Sequence, residues 1–290
     1  MSDQVEVTVF SGEQLSLGEG PLTNHLRSSL VWCDINGSAV YERSYTGTTT
    51  RKFDLPVLPS AAGLIDEKRI LVATETDFRV LDLDSGEMEI GTLFPEDPLM
   101  RSNDGRVHPG GAFWIGTMAK DGKGRPGAIF HLFEGVLTKM IDEVVTPNSI
   151  CFAEDGTFAY FTDTPSQVIW KIPTDPTTGM IIGEREVFVE VAPGAAPGGP
   201  DGSLVDGEGN LWNAHWGAAL MDVYNPGGEH IHAYELPVRQ PTCPAFMGDN
   251  LDQIVTTSAT AGLKDATTAD GAVIQIHAPV VGRREPIVRP

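Results

Sequence analysis

Six stretches of strand character recur along the 290 residues at a spacing that leaves few architectures open. Leu30 in LVWCDI, Ile70 in ILVATET, Phe113 in FWIGTM, Ala159 in AYFTDT, Leu211 in LWNAHW and Gln253 in QIVTTSA follow one another at intervals of 40, 43, 46, 52 and 42 residues. Each is followed by a second run of the same kind: AVYERSY, FRVLDLD, GAIFHLF, QVIWKIP, ALMDVYN and AVIQIHA. Turn clusters such as DLDSGE, TDPTTG and YNPGGE separate the runs, and 32 glycines and 21 prolines supply many more turns. A unit of this length with about four short strands is the spacing of a propeller blade. Each four-stranded sheet has two apolar faces that only neighbouring blades can cover, so the units close into a ring.

The fold expected is therefore all-β, a six-bladed β-propeller forming a single domain over residues 1–290. The early strand-like segment Val5 to Phe10 is expected to complete the last blade beside the run ending near Ala278, which fastens the circle. No long 3.6-residue periodicity supports a doubly wound α/β fold, and VAPGAAPGGP at 191–200 is read as a loop. A jelly roll or sandwich would account for the strands but not for the polar residues that share the repeat's phase.

Those polar residues carry the functional reading. Glu19 lies 11 residues before Leu30, Asn103 lies 10 before Phe113, Asn148 lies 11 before Ala159, and Asp201 lies 10 before Leu211. Residues at one phase of different blades stand at one height around the axis, so four oxygen-bearing side chains should converge on the channel mouth. Converging carboxylates repel unless a cation sits among them. Oxygen donors suit calcium, magnesium or manganese, and ligand type leaves iron(II) and zinc open. Taken singly, NDG, DG and PN are ordinary turn sequences; the shared phase makes them a candidate set.

Composition narrows the partners. Twenty basic residues stand against 40 acidic ones, a formal charge of −20, which disfavours nucleic acid and anionic membrane surfaces. No apolar run reaches membrane-spanning length and MSDQVEVTVF has no leader pattern, so a cytoplasmic protein is expected. Cys33, Cys151 and Cys243 are far apart and read as reduced, buried thiols. His230 and His232 read as exposed or edge residues, His25 and His108 lie in loops, and His215 either lines the pocket or packs within a blade. The chain has neither a Gly-x-Ser-x-Gly elbow nor a P-loop. DGKGRPG at 121–127 reads as a hairpin beside the site, its role open.

The ordered series GEGP (18–21), RSNDG (101–105), FWIGTM (113–118), TPNS (146–149), YFTDT (160–164), GPDGS (199–203), LWNAHWG (211–217) and PTCPAF (241–246) resembles the senescence marker protein, regucalcin and gluconolactonase family of six-bladed propellers. The resemblance spans nearly the whole chain. It implies one divalent cation held by Glu19, Asn148 and Asp201, with Asn103 on substrate or on the ion through water, and Arg101 gripping substrate hydroxyls or the ring. Five fixed donors suit that arginine to a polyhydroxylated or carboxylated ligand. Animal members carry a glutamate near Lys120 and Asp121, which makes these two the remaining substrate-binding candidates. Ser149 stands where the family usually has glycine and is expected to alter the turn without changing the metal set.

The activity implied is hydrolysis of a sugar-acid lactone, with the cation as Lewis acid and Asp201 as general base. Hydrolysis of another ester or an organophosphate, and a non-catalytic calcium-binding regulator, are the alternatives. The sequence leaves open the sugar, the ring size, the physiological metal and the oligomeric state.

Overall fold

The computed structural model describes residues 5–191 and 198–290, so the 191–200 loop lies in part outside the described residues. Its strands form six four-stranded antiparallel sheets. Within each sheet the recurrent run is the second strand: Ser29–Asp34, Arg69–Thr74, Phe113–Ala119, Phe158–Asp163, Leu211–Trp216 and Gln253–Ser258. Each pairs with an innermost strand that precedes it, namely Gly18–Asn24, Pro59–Leu64, Met100–Val107, Pro147–Phe152, Gly199–Val205 and Pro241–Met247. Each innermost strand also packs against the next around the ring, the sixth returning to the first. The architecture is an all-β, six-bladed propeller.

The circle closes as the early segment suggested. Strand Val7–Ser11 pairs antiparallel with Val273–Ile276, with Val7 opposite Ile276 and Val9 opposite Ile274. The last blade thus takes three strands from one end of the chain and one from the other.

Apolar side chains explain the ring. Six buried clusters correspond to the six junctions between blades. Val31, Val40, Ile70 and Leu81 join the first and second blades, Leu71, Phe78, Phe113 and Ile115 the second and third, and Trp114, Ile129, Phe152 and Phe161 the third and fourth. Ile169, Val189, Val205 and Leu211 join the next pair, Trp212, Met221, Phe246 and Ile274 the fifth and sixth, and Phe10, Trp32, Val255 and Val273 the sixth and first. Each large side chain so covered contributes about 1.5–3 kcal/mol, and none could be covered by its own sheet alone.

After the last blade the chain crosses the end of the ring opposite the candidate residues. Gly207 donates its amide to the Val281 carbonyl at 2.6 Å, Gly282 to Leu251 at 2.9 Å, Val288 to Leu64 at 2.7 Å and Arg289 to Gly111 at 2.8 Å. Val288 is buried among Ala61, Phe113 and Ile115. This strap across four blades has no signature in the repeat pattern. Among the described residues no helix is long and apolar enough to cross a membrane.

Candidate functional site

Every innermost strand slips register against its partner at the same height. The irregularities fall between Glu19 and Leu22, Pro59 and Ala61, Ser102 and Gly105, Asn148 and Cys151, Pro200 and Ser203, and Pro241 and Pro244. A bulge re-aims side chains that regular pairing would hold against the sheet. Six residues sit at or within these bulges: Glu19, Ser60, Asn103, Asn148, Asp201 and Thr242. The repeat phase identified four of them. Ser60 and Thr242 complete the circle, and a sequence signal marks them: Pro59-Ser60 and Pro241-Thr242 repeat the Pro147-Asn148 and Pro200-Asp201 pairs.

The two hydroxyls tie neighbouring strands together. Ser60 Oγ donates to Ser102 Oγ at 2.7 Å, and Thr242 Oγ1 donates to the Gly18 carbonyl at 2.6 Å. The strands approach so closely here that a Cβ on Gly20 would lie 2.5 Å from the Ser60 carbonyl oxygen, and one on Gly202 would lie 2.5 Å from Cys243 Sγ.

Arg101, Asn103 and Asn148 are brought together in one chain of hydrogen bonds. Arg101 Nη1 donates to Asn103 Oδ1 at 2.7 Å, and Asn103 Nδ2 donates to Asn148 Oδ1 at 2.8 Å. Asn148 Nδ2 donates to Thr164 Oγ1 at 2.9 Å, and Thr164 donates to the Pro200 carbonyl at 2.8 Å, next to Asp201. The series fixes both amide orientations, and Asn148 Oδ1 keeps a second lone pair. Thr164 was not singled out by sequence, although it ends the YFTDT motif.

Charge at the site is concentrated and poorly hydrated. Glu19 and Asp201 are 6% and 5% exposed. Burial, followed by the charge of Asp104, pushes Glu19 up to about 8, against the pull of the Gly20 amide and Arg101. Burial, then Glu19 and Asp104, hold Asp201 well above the ordinary carboxyl range. Burial lowers the Arg101 pKa, opposed by the charges of Glu19 and Asp201. Asp104 is a third buried carboxyl that sequence reasoning passed over within NDG. It accepts the Ile150 amide at 2.7 Å, and burial raises it to about 6 despite that amide and Arg106. Among the described residues no three His, Cys, Asp or Glu side chains form a metal cluster; the candidate set combines two carboxylates with carboxamide oxygens.

Ser149 corrects an expectation. Its φ of 56° lies in the left-handed region, as does that of Gly20 at 52°, so the turn keeps the geometry a glycine would give it. Ser149 Oγ donates to the Asp201 carbonyl at 2.6 Å and accepts from Asn213 Nδ2 at 3.2 Å, which offsets the strain of a non-glycine residue there.

Lys120 and Asp121 stand apart from this circle. Both are exposed on the rim. Lys120 forms an ion pair with Glu75, and Asp121 accepts the Lys123 amide at 3.0 Å in a turn. The following residues Pro126 and Gly127 instead line a cavity of about 470 Å³ shared with Arg101, Met100 and Glu75. His215 Nδ1 donates to Asp222 Oδ2 at 3.1 Å, and His230 Nε2 donates to the other oxygen of Asp222 at 2.8 Å, an arrangement within one blade. The three cysteines are free and buried, and burial raises each thiol pKa.

Comparison with known proteins bears on the family. The pattern describing the SMP-30/gluconolactonase/LRE-like region matches residues 17–260. This chain belongs to that family. A Rhizobium meliloti (strain 1021) protein provisionally named sugar lactone lactonase is 36% identical over 98% of this chain and 99% of its own. Pentonolactonase XacC of Haloferax volcanii is 31% identical over 93% of each chain. The crystal structure of a calcium-binding protein, regucalcin, from Agrobacterium tumefaciens strain C58 superposes with a TM-score of 0.96 at 34% identity, covering 100% of this chain and 99% of that one.

Proposed function

We propose that this protein is a divalent-cation-dependent lactonase that opens sugar-acid lactones to the corresponding sugar acids. The observation that carries the reading is the meeting of two buried carboxyls, Glu19 and Asp201, with the oriented Asn103–Asn148 pair at one level of the channel. The names of the family relatives, sugar lactone lactonase and pentonolactonase, agree with it.

Glu19, Asn148 and Asp201 would hold the ion. The fit rests on the donors: carboxyls that burial and mutual repulsion keep from ionising need a cation to ionise together, and all the donors are oxygen. Calcium, magnesium and manganese suit such ligands, with zinc and iron(II) as further candidates. A divalent cation bound there supplies polarisation of an ester carbonyl and acidifies water.

The remaining work falls to the chain's own residues. Arg101 spends Nη1 on Asn103 and the Ser102 carbonyl, leaving its other donors to orient ring hydroxyls or a carboxylate. Asn103 uses both amide hydrogens on Asn148 and the Pro147 carbonyl and accepts from Arg101, which leaves one Oδ1 lone pair to accept from a substrate hydroxyl. Asp201 takes the proton from the attacking water. Its burial beside Glu19 and Asp104 favours proton uptake, opposing the acidifying effect of a neighbouring cation. The apolar and ionic cavity beside Arg101 gives the ring room. Lys120 and Asp121, on the rim, contribute at most to the approach of substrate.

The test is proton release from a panel of gluconolactones and pentonolactones, with and without chelator and corrected for spontaneous opening. Turnover that stops on chelation and returns with one added metal supports the proposal and identifies the cofactor; turnover that survives complete chelation refutes it. The calcium-binding description of the Agrobacterium relative favours a second reading, a calcium-binding protein without catalysis. Calcium affinity with no turnover of any lactone or of paraoxon-like esters would select that reading.

A further inference from the structure

The strap that crosses the far end of the ring borders a second, open-mouthed cavity of about 800 Å³, a volume ordinary for a small-molecule site. Arg106, from the end of innermost strand Met100–Val107, lines it together with Arg283, Arg284 and His25. Arg101 and Arg106 are five residues apart on that strand, so the chamber lies beyond the Glu19–Asp201 level, at the opposite end of the channel.

In a chain of formal charge −20 this lining is locally cationic. Its three guanidinium groups face two carboxylates, Glu154 and Glu285. Glu285 is already committed to Arg106, at 2.8 Å with both side chains largely buried. Arg283 donates to the carbonyls of Val205 and Phe152 at 2.8 and 2.9 Å and has no ion pair among the described residues. Arg284 is exposed at the chamber's edge and likewise has none.

Two polar atoms of the lining are buried without a partner among the described residues: Arg106 Nε and His25 Nδ1. A buried donor left unsatisfied costs roughly 1–3 kcal/mol. Arg106 cannot shed its proton to avoid this. Arg284 and Glu285 both lie near enough to His25 to act on its charge, in opposite senses, so the guanidinium, the carboxylate and the imidazole share one side of the chamber. Arg106 Nε is a donor without an acceptor, the neutral His25 can present Nδ1–H beside it, and the two guanidinium groups without ion pairs complete a set that specifies an incoming oxyanion.

We propose that this chamber binds a small oxyanion, a carboxylate or a phosphate group, with Arg106 Nε, His25, Arg283 and Arg284 as its donors. The proposal does not rest on the lactone-hydrolysing reading, since none of its four donors lies at the Glu19–Asp201 level. It would give the protein a second ligand, felt through the strap and the inner strand that also carries Arg101 and Asn103.

The experiment is isothermal titration of the 290-residue chain at fixed ionic strength in chloride, with inorganic phosphate in one arm and D-gluconate in the other. Saturable one-to-one binding of either is expected. Arg284→Gln and His25→Phe should each weaken it about tenfold or more, while circular dichroism and thermal melting show the fold retained. Glu19→Gln, at the other end of the channel, should leave it in place. Absence of saturable binding in both arms overturns the proposal and leaves ordered water as the occupant. Binding that survives both far-end substitutions, or that is lost with Glu19→Gln, also overturns it.

Discussion

Replacing Glu19 by glutamine should stabilise the protein stripped of divalent ions while weakening its hold on them. An acid whose pKa is higher in the folded than in the unfolded state favours folding while protonated. Its contribution is complete below the unfolded value and disappears as pH rises through the folded one. For Glu19 those limits are 4.5 and about 8. At about 1.4 kcal/mol per pKa unit, ionising or holding the proton on this carboxyl costs the folded state up to about 4 kcal/mol at pH 8 and about 1 kcal/mol at pH 5. Glutamine carries no charge to repel Asp104 or Asp201, but it keeps an amide to desolvate, so the net gain expected at pH 8 is about 1–3 kcal/mol. Urea unfolding in chelator at pH 5 and pH 8 measures it. The two proteins should differ at pH 8 and converge toward pH 5. A divalent ion at about a thousand times Kd should reverse the order, because only wild type gains the full linkage energy, about 4.1 kcal/mol. A glutamine variant no more stable than wild type at pH 8 without ions, or a wild type equally stable at both pH values, would refute the electrostatic argument.

Asp201→Asn should lower kcat by at least ~10²-fold if that carboxylate accepts the proton from water; near-normal turnover with the ion still bound, by calorimetry, would remove it from the role. Ser149→Gly should change stability by less than about 1 kcal/mol, because relief of the left-handed backbone strain and loss of the bond to the Asp201 carbonyl oppose each other. Chemical denaturation measures this, and a loss of several kcal/mol would show that the hydroxyl matters far more than the turn. Asp270→Asn should cost about 1–3 kcal/mol, since the carboxylate accepts Arg239 Nη2 at 2.7 Å, the Arg239 amide at 2.9 Å and the Thr267 amide at 2.8 Å. Burial alone would raise the Asp270 pKa, yet those bonds hold it down to about 2. Its contribution is therefore present above about 4 and lost as pH falls through about 2; an unchanged acid-unfolding midpoint in the variant would contradict this.

The ring was legible because its cause is local. Strand runs at Leu30, Ile70, Phe113, Ala159, Leu211 and Gln253 became the second strand of every blade, and Val7–Ser11 joined Val273–Ile276 as expected. The in-phase residues were legible for the same reason: a repeat converts distance along the chain into angle around an axis. Ser60 and Thr242 were missed because serine and threonine carry no distinctive chemistry in a turn, although the prolines before them kept the phase. Asp104 was missed because it sits one residue beyond the phase, and only a bulge turns it toward the same buried region.

By itself the sequence determined the number of blades, the joining of the two chain ends and which stretches would meet, since periodicity and apolar pattern are properties of short windows. Only the tertiary structure decided the rest. The Asn103–Asn148–Thr164 chain, the shifted acidity of Glu19 and the left-handed Ser149 all depend on atoms from different blades meeting at a given distance and depth. The strap over the far chamber depends on a stretch outside the repeat, held by backbone bonds to four blades. Hydrogen bonding and desolvation are functions of that distance and depth, which a linear order of residues does not contain.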